Sequence, residues 1–116
     1  MTNETKQANE MLIFTKWIDF LEWLLPALDK FPKKVRFTFT QRIENLALDI
    51  VEDLVEARYT TNRRAILKRA NLRLEKLRVL TRISHKMRFL SNESYRYAAK
   101  SIDEVGRMLG GWMKQQ

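Results

Sequence analysis

Cysteine is absent from the chain, so disulfides and thiolate chemistry play no part, and an intracellular, cytoplasmic location is expected. Three glycines and two prolines in 116 residues leave few places for tight turns, which argues against a β-rich fold. No apolar run approaches the roughly 20 residues that span a bilayer. The N-terminal stretch MTNETKQANE lacks the basic-then-apolar order of a signal peptide, so no membrane contact is expected. Histidine occurs once, as His85, with no sequence neighbour that marks it as a base, and is read as a polar surface residue. There is no glycine-rich phosphate loop, no Gly-x-Ser-x-Gly and no spaced metal-ligand set. No catalytic residue, cofactor or metal site is therefore expected.

What remains is helix-forming sequence with a strong positive bias. The length suits one domain, and four helical segments can be read from apolar periodicity, roughly 8–30, 39–60, 63–90 and 92–114. In the first, Ile13, Trp17, Phe20, Leu24 and Leu28 recur at spacings of three and four. Pro26 lies inside this pattern and should kink the helix or end it early. Thr38 with Gln41 fits a capping box for the second helix. Its seam is Ile43, Ala47, Ile50, Leu54 and Ala57, and Leu46, Leu48, Val51 and Val55 make it apolar enough to be the most buried of the four. Thr61 or Asn62 can cap the third helix. Leu67, Ala70, Leu74 and Leu77 begin its seam; Leu80, Ile83, Met87 and Leu90 continue it after a phase shift. Ser91 caps the fourth, with Glu93 favouring the helix dipole, and Ala98, Ile102, Val105, Leu109 and Trp112 form its seam. Short connections predict an all-α, up-down-up-down antiparallel four-helix bundle.

The charge is unevenly placed. Against 22 Lys and Arg stand 14 Asp and Glu, net +8. Residues 1–57 carry net −3, residues 58–90 net +10 and residues 91–116 net +1. A stiff helix studded with cations can replace the counterions condensed on a phosphate chain, and arginine's planar fork suits phosphate. The candidate nucleic-acid-binding residues are Arg58, Arg63, Arg64, Lys68, Arg69, Arg73, Lys76, Arg78, Arg82 and Lys86, with Arg88 flanking the seam. The bland alternative is a solvated face paired with acidic neighbours. Asp49, Glu52, Asp53 and Glu56 of the second helix share one face at i, i+3, i+4 and i+7. Such carboxylates can hold metal ions in a bundle, but with one histidine available they are read as salt-bridge partners. Trp17, Trp23, Trp112, Phe37, Phe39 and Tyr59 can stack on bases, yet at helical spacing they suit the core or a subunit contact, and Phe37 and Phe39 suit an interface plug. Gly110-Gly111 inside a helical run suggests close backbone packing or a frayed end.

The order of motifs resembles one known family. Trp23-Leu24-Leu25-Pro26, Lys30-Phe31-Pro32, Arg36-Phe37-Thr38, Gln41-Arg42-Ile43-Glu44-Asn45-Leu46 and Glu56-Ala57-Arg58-Tyr59 are similar to the Avd accessory proteins of diversity-generating retroelements. So are Leu77-Arg78-Val79-Leu80-Thr81-Arg82, Ser94-Tyr95 and the run from Glu104 to Trp112. The resemblance implies a four-helix bundle assembling into a homopentameric barrel with a positive surface. It implies a non-enzymatic protein that binds RNA or DNA and the reverse transcriptase, and that supports mutagenic cDNA synthesis. Four-helix proteins encoded in ribosomal RNA intervening sequences look alike at this level and are the alternative, with a structural or unknown role.

Overall fold

The computed structural model describes residues 3–115; Met1, Thr2 and Gln116 lie outside the described residues. It is all-helical, with no strand among the described residues. Helix α1 spans Asn3–Leu28, α2 Gln41–Arg58, α3 Arg64–Lys86 and α4 Asn92–Lys114. A 3₁₀ turn at Lys33–Val35 and a five-residue π-helix at Arg36–Thr40 lead into α2. α1 packs on α2 and α4, α2 on α3, and α3 on α4, forming a four-helix bundle of 47 × 24 × 19 Å.

α1 begins five residues earlier than its apolar pattern and ends two residues past Pro26. The helix runs through Pro26 and closes just after it, where Asp29, Lys30 and Phe31 donate to the carbonyls of Pro26, Ala27 and Leu28 in an i→i−3 pattern. Ile13, Trp17, Phe20, Leu21, Leu24 and Leu28 are buried. The Trp17 indole N–H donates to the Ala47 carbonyl of α2 at 2.9 Å, so a large buried ring keeps its polar atom satisfied.

The capping box at Thr38 and Gln41 does not form. Thr38 Oγ1 donates to the Val35 carbonyl, and the Gln41 N–H is taken by the carbonyls of Arg36 and Thr38. The chain is already helical through 36–40, so α2 has few orphan N–H groups to cap. α2 is the most buried helix as expected, with six of its 18 residues buried, the largest share among the described residues, although Leu48 and Val55 are exposed. Neither Thr61 nor Asn62 caps α3, which starts from Arg63 without a side-chain cap.

The α3 seam also differs from the expected one. It keeps phase through Ile66, Leu67, Ala70, Leu74 and Leu77, then buries Thr81 and Ser84. Ile83 and Met87 point outward instead. Two hydroxyls can occupy the core because each donates to a carbonyl one turn back, Thr81 to Leu77 and Ser84 to Leu80. α3 ends at Lys86, before Leu90, in a Schellman turn. The Phe89 N–H reaches Ser84 O at 2.8 Å and the Arg88 N–H reaches His85 O at 3.0 Å. Arg88 takes the left-handed position, φ 66°, where glycine is the usual occupant.

In α4, Ser91 Oγ accepts from the Ser94 N–H, and the whole seam from Ala98 to Trp112 is buried. The helix runs through Gly110 and Gly111, and a Cβ on either would meet nothing within 4 Å. Close packing inside this chain does not explain the pair. Gly106 differs: a Cβ there would sit 3.4 Å from the Arg78 guanidinium crossing it.

Candidate nucleic-acid interface

The ten predicted cations divide into two sets of five. Arg69 and Arg73 rise from α3 toward α2 and converge on one carboxylate. Asp53 is 2% exposed; Arg69 Nε and Nη2 donate to its Oδ1 at 2.9 and 2.8 Å, and Arg73 Nη1 donates to both oxygens at 2.6 Å. Arg69 also reaches Glu56 at 2.6 Å, and Arg73 lies 4.0 Å from Asp49. Hydrogen bonds to Asp53 and then Glu56 push the Arg69 guanidinium pKa above its ordinary value. A buried carboxylate is tolerated only when paired and hydrogen-bonded, and here two guanidinium groups do this.

Arg58, Arg63 and Arg78 are engaged as well. Glu10 of α1 lies 3.8 Å from Arg58 Nε and 3.1 Å from Arg63 Nη1. Arg63 also sits over the Trp112 ring at 5.9 Å. Arg78 bridges Asp103 at 3.1 Å and Glu75 at 3.6 Å. For these five, carboxylates of adjoining elements neutralise the charge, as in the bland reading.

Arg64, Lys68, Lys76, Arg82 and Lys86 are exposed and make no ion pair among the described residues. They do not form one continuous row. At 1.5 Å per residue, Arg64 stands about 33 Å from Lys86 along α3. Along the same helix Leu72, Val79 and Ile83, and Met87 just past its last turn, are exposed apolar side chains, with Lys76 between Leu72 and Val79. An open groove of about 600 Å³ runs between α2 and α3, floored by Leu46, Val79 and Leu80 and rimmed by Arg42, Asp49, Glu75 and Lys76.

The acidic face of α2 is mainly a docking strip for α3: Asp49, Asp53 and Glu56 meet arginines, while Glu52 is exposed. No three metal-competent side chains gather among the described residues. His85 is half-buried rather than a free surface group. It stacks on Tyr95 at 4.3 Å with rings 5° apart, and its Nε2 lies 2.7 Å from Asn92 Oδ1. Of the aromatics, Trp17 and Trp112 are buried, Trp23 packs on Phe20 and Tyr97, and Phe39 packs edge-on against Phe89. Phe37 and Tyr59 remain 80% and 85% exposed.

Sequence reasoning passed over another set of free cations, Lys30, Lys33, Lys34, Arg36 and Arg42, all exposed and unpaired among the described residues. Their signal is a 13-residue stretch, 30–42, without one acidic residue. It was hidden because that stretch was counted together with the acidic helices on either side of it.

The model of a family described as bAvd-like matches residues 11–116. No curated protein matches the chain.

Proposed function

The chain belongs to the bAvd-like family, and from that premise we propose that it is a non-enzymatic accessory protein of a diversity-generating retroelement. In this reading it binds RNA or DNA and the element's reverse transcriptase, and supports mutagenic cDNA synthesis. The family match over nine-tenths of the chain carries the retroelement role. The exposed, unpaired Arg64, Lys68, Lys76, Arg82 and Lys86 support the nucleic-acid role, since such groups release condensed counterions on meeting phosphates. Arg58, Arg63, Arg69, Arg73 and Arg78 are left to hold the bundle together, and contribute to the outer field rather than to contacts.

The chain acts as one domain, an up-down-up-down bundle. Glu10 near the start of α1 meets Arg58 and Arg63 at the α2–α3 connection, and Trp112 near the end of α4 joins them, which supports alternating directions. It assembles into a homo-oligomer, a pentamer by family resemblance. Exposed apolar side chains support self-association: Leu72, Val79, Ile83 and Met87 along α3 and its C-cap, Met11 and Leu25 on α1, and Leu48 and Val55 on α2.

The test is a salt titration of RNA and DNA binding, paired with co-purification of the reverse transcriptase of the same retroelement. Log affinity is expected to fall linearly with log salt, and replacing Arg64, Lys68, Arg82 and Lys86 by Ala is expected to flatten the slope by about 3. Absence of binding at low salt, or a flat response, overturns the nucleic-acid role. Failure to co-purify overturns the polymerase role.

A further inference from the structure

Eight of the molecule's unpaired cations gather at one end. Residues 30–42 contain Lys30, Lys33, Lys34, Arg36 and Arg42 and no acid. Residues 82–92 contain Arg82, Lys86 and Arg88 and no acid. Their number equals the net charge of the whole chain, since the remaining 14 basic residues equal the 14 acidic ones in number, though not all of them are paired. All eight are exposed and none is in an ion pair among the described residues. The two segments are held together by aromatic packing: the Phe89 ring lies 5.7 Å from Phe31 and 5.6 Å from Phe39.

Two further features mark this end. Phe37 stands 80% exposed in the π-helix, directly after Arg36 and one turn beyond Lys33 and Lys34, while its neighbour Phe39 is packed away. A flat apolar ring among cations matches a ligand that is both flat and anionic. Arg88 occupies the left-handed position of the Schellman turn. A residue with a Cβ is strained there where glycine is not, and strain kept at a solvent-facing cation points to use of that cation.

We propose that this end of the bundle binds single-stranded nucleic acid, with Phe37 stacked on an unpaired base and the surrounding cations tracking the phosphates. A duplex keeps its base faces inside the stack, whereas a single strand offers them to an aromatic ring. The inference rests on the nucleic-acid role proposed above and adds a place and a strand preference. An acidic protein segment with an apolar side chain is the competing occupant.

The experiment compares a labelled 20-nucleotide oligothymidylate with a duplex of equal length, by fluorescence anisotropy across a salt series. The full chain is expected to prefer the single strand. Phe37→Ala is expected to weaken single-strand binding about tenfold or more and to erase the preference, with Phe37→Trp restoring it. Lys33→Ala, Lys34→Ala and Arg36→Ala together are expected to flatten the single-strand salt slope by about 2. Arg64→Ala with Lys68→Ala, at the far end, is expected to keep the strand preference. Arg88→Gly is expected to raise the thermal midpoint while lowering affinity, opposite signs that a merely structural residue does not give. Binding by the full chain that ignores the Phe37 and triple variants overturns this inference and leaves the nucleic-acid role standing. No binding at all overturns both. Loss of oligomeric mass in the Phe37 variant with unchanged oligonucleotide affinity makes this end a protein contact.

Discussion

Asp53 shows how one residue can change the meaning of its neighbours. It is the carboxylate on which Arg69 and Arg73 close, so two side chains that look like phosphate ligands in the sequence are structural. Asp53→Asn keeps one acceptor oxygen but removes the buried negative charge that those two guanidinium groups enclose. Breaking a buried pair from one side costs about 3–5 kcal/mol. Arg69 and Arg73 are 44% and 29% exposed and can rehydrate, so about 2 kcal/mol is expected here, read from the shift in urea midpoint at constant slope. A loss below half that value would mean the arginines are held by Glu56 and Asp49 instead. Glu104 gives a pH-dependent case. Its hydrogen bond and charge interaction with Lys16, 2.7 Å away, hold its carboxyl below the ordinary range. A depressed carboxyl stabilises the fold at neutral pH and above, and loses that contribution as pH falls through its folded-state pKa. By NMR titration, Glu104 is expected to protonate at lower pH than an exposed glutamate, and Lys16→Met is expected to raise it toward the ordinary range, Arg107 and Lys100 keeping a smaller lowering effect.

At the scale of the element, the apolar seams of α1, α2 and α4 were legible because Trp17, Ile50 and Ile102 each sit on a run of like residues at helical spacing. The second half of α3 was not. Periodicity assigns Ile83 and Met87 inward and Thr81 and Ser84 outward; the structure does the reverse, since a hydroxyl bonded to its own helix no longer needs water. The pairing of Asp53 with two arginines 16 and 20 residues away is tertiary, and composition alone could give only the choice between paired and free. Thr81→Val, which keeps shape and removes the hydroxyl, is expected to change stability by under about 1 kcal/mol in either direction. Gly110 and Gly111 behave differently from Gly106. With open space around both Cβ positions and helical backbone, Gly110→Ala with Gly111→Ala is expected to stabilise the chain by about 1–2 kcal/mol. Thermal melting checks the gain. A fall in oligomeric mass in the same variant would show that the glycines admit a neighbouring subunit.

At the scale of the molecule, the charge count and the charge surface are different quantities. Residues 58–90 hold net +10, yet five of their arginines are matched by Glu10, Asp49, Asp53, Glu56, Glu75 and Asp103. Lys76 apart, the uncompensated cations of α3 lie toward its ends, and Leu72, Val79 and Ile83, with Met87 just past the last turn, face solvent. A surface built only to grip phosphates along α3 has no use for these four apolar side chains. Covering them does have a physical reward, because each apolar Å² removed from water contributes about 25 cal/mol. The apolar side chains of α1 and α2 differ in sequence from those along α3, so a contact between the two sets would be heterologous, giving a ring where its rotation closes rather than a two-fold dimer. Light scattering at micromolar concentration is therefore expected to give a mass well above the 13.9 kDa of one chain. Val79→Asp with Met87→Asp on α3, or Leu48→Asp with Val55→Asp on α2, should each reduce that mass to one chain while the helical circular-dichroism signal persists. If only the α3 pair has this effect, the contact is symmetric through α3 and the ring closure is wrong. A wild-type mass of 13.9 kDa leaves both sets to a different protein, the reverse transcriptase first among the candidates.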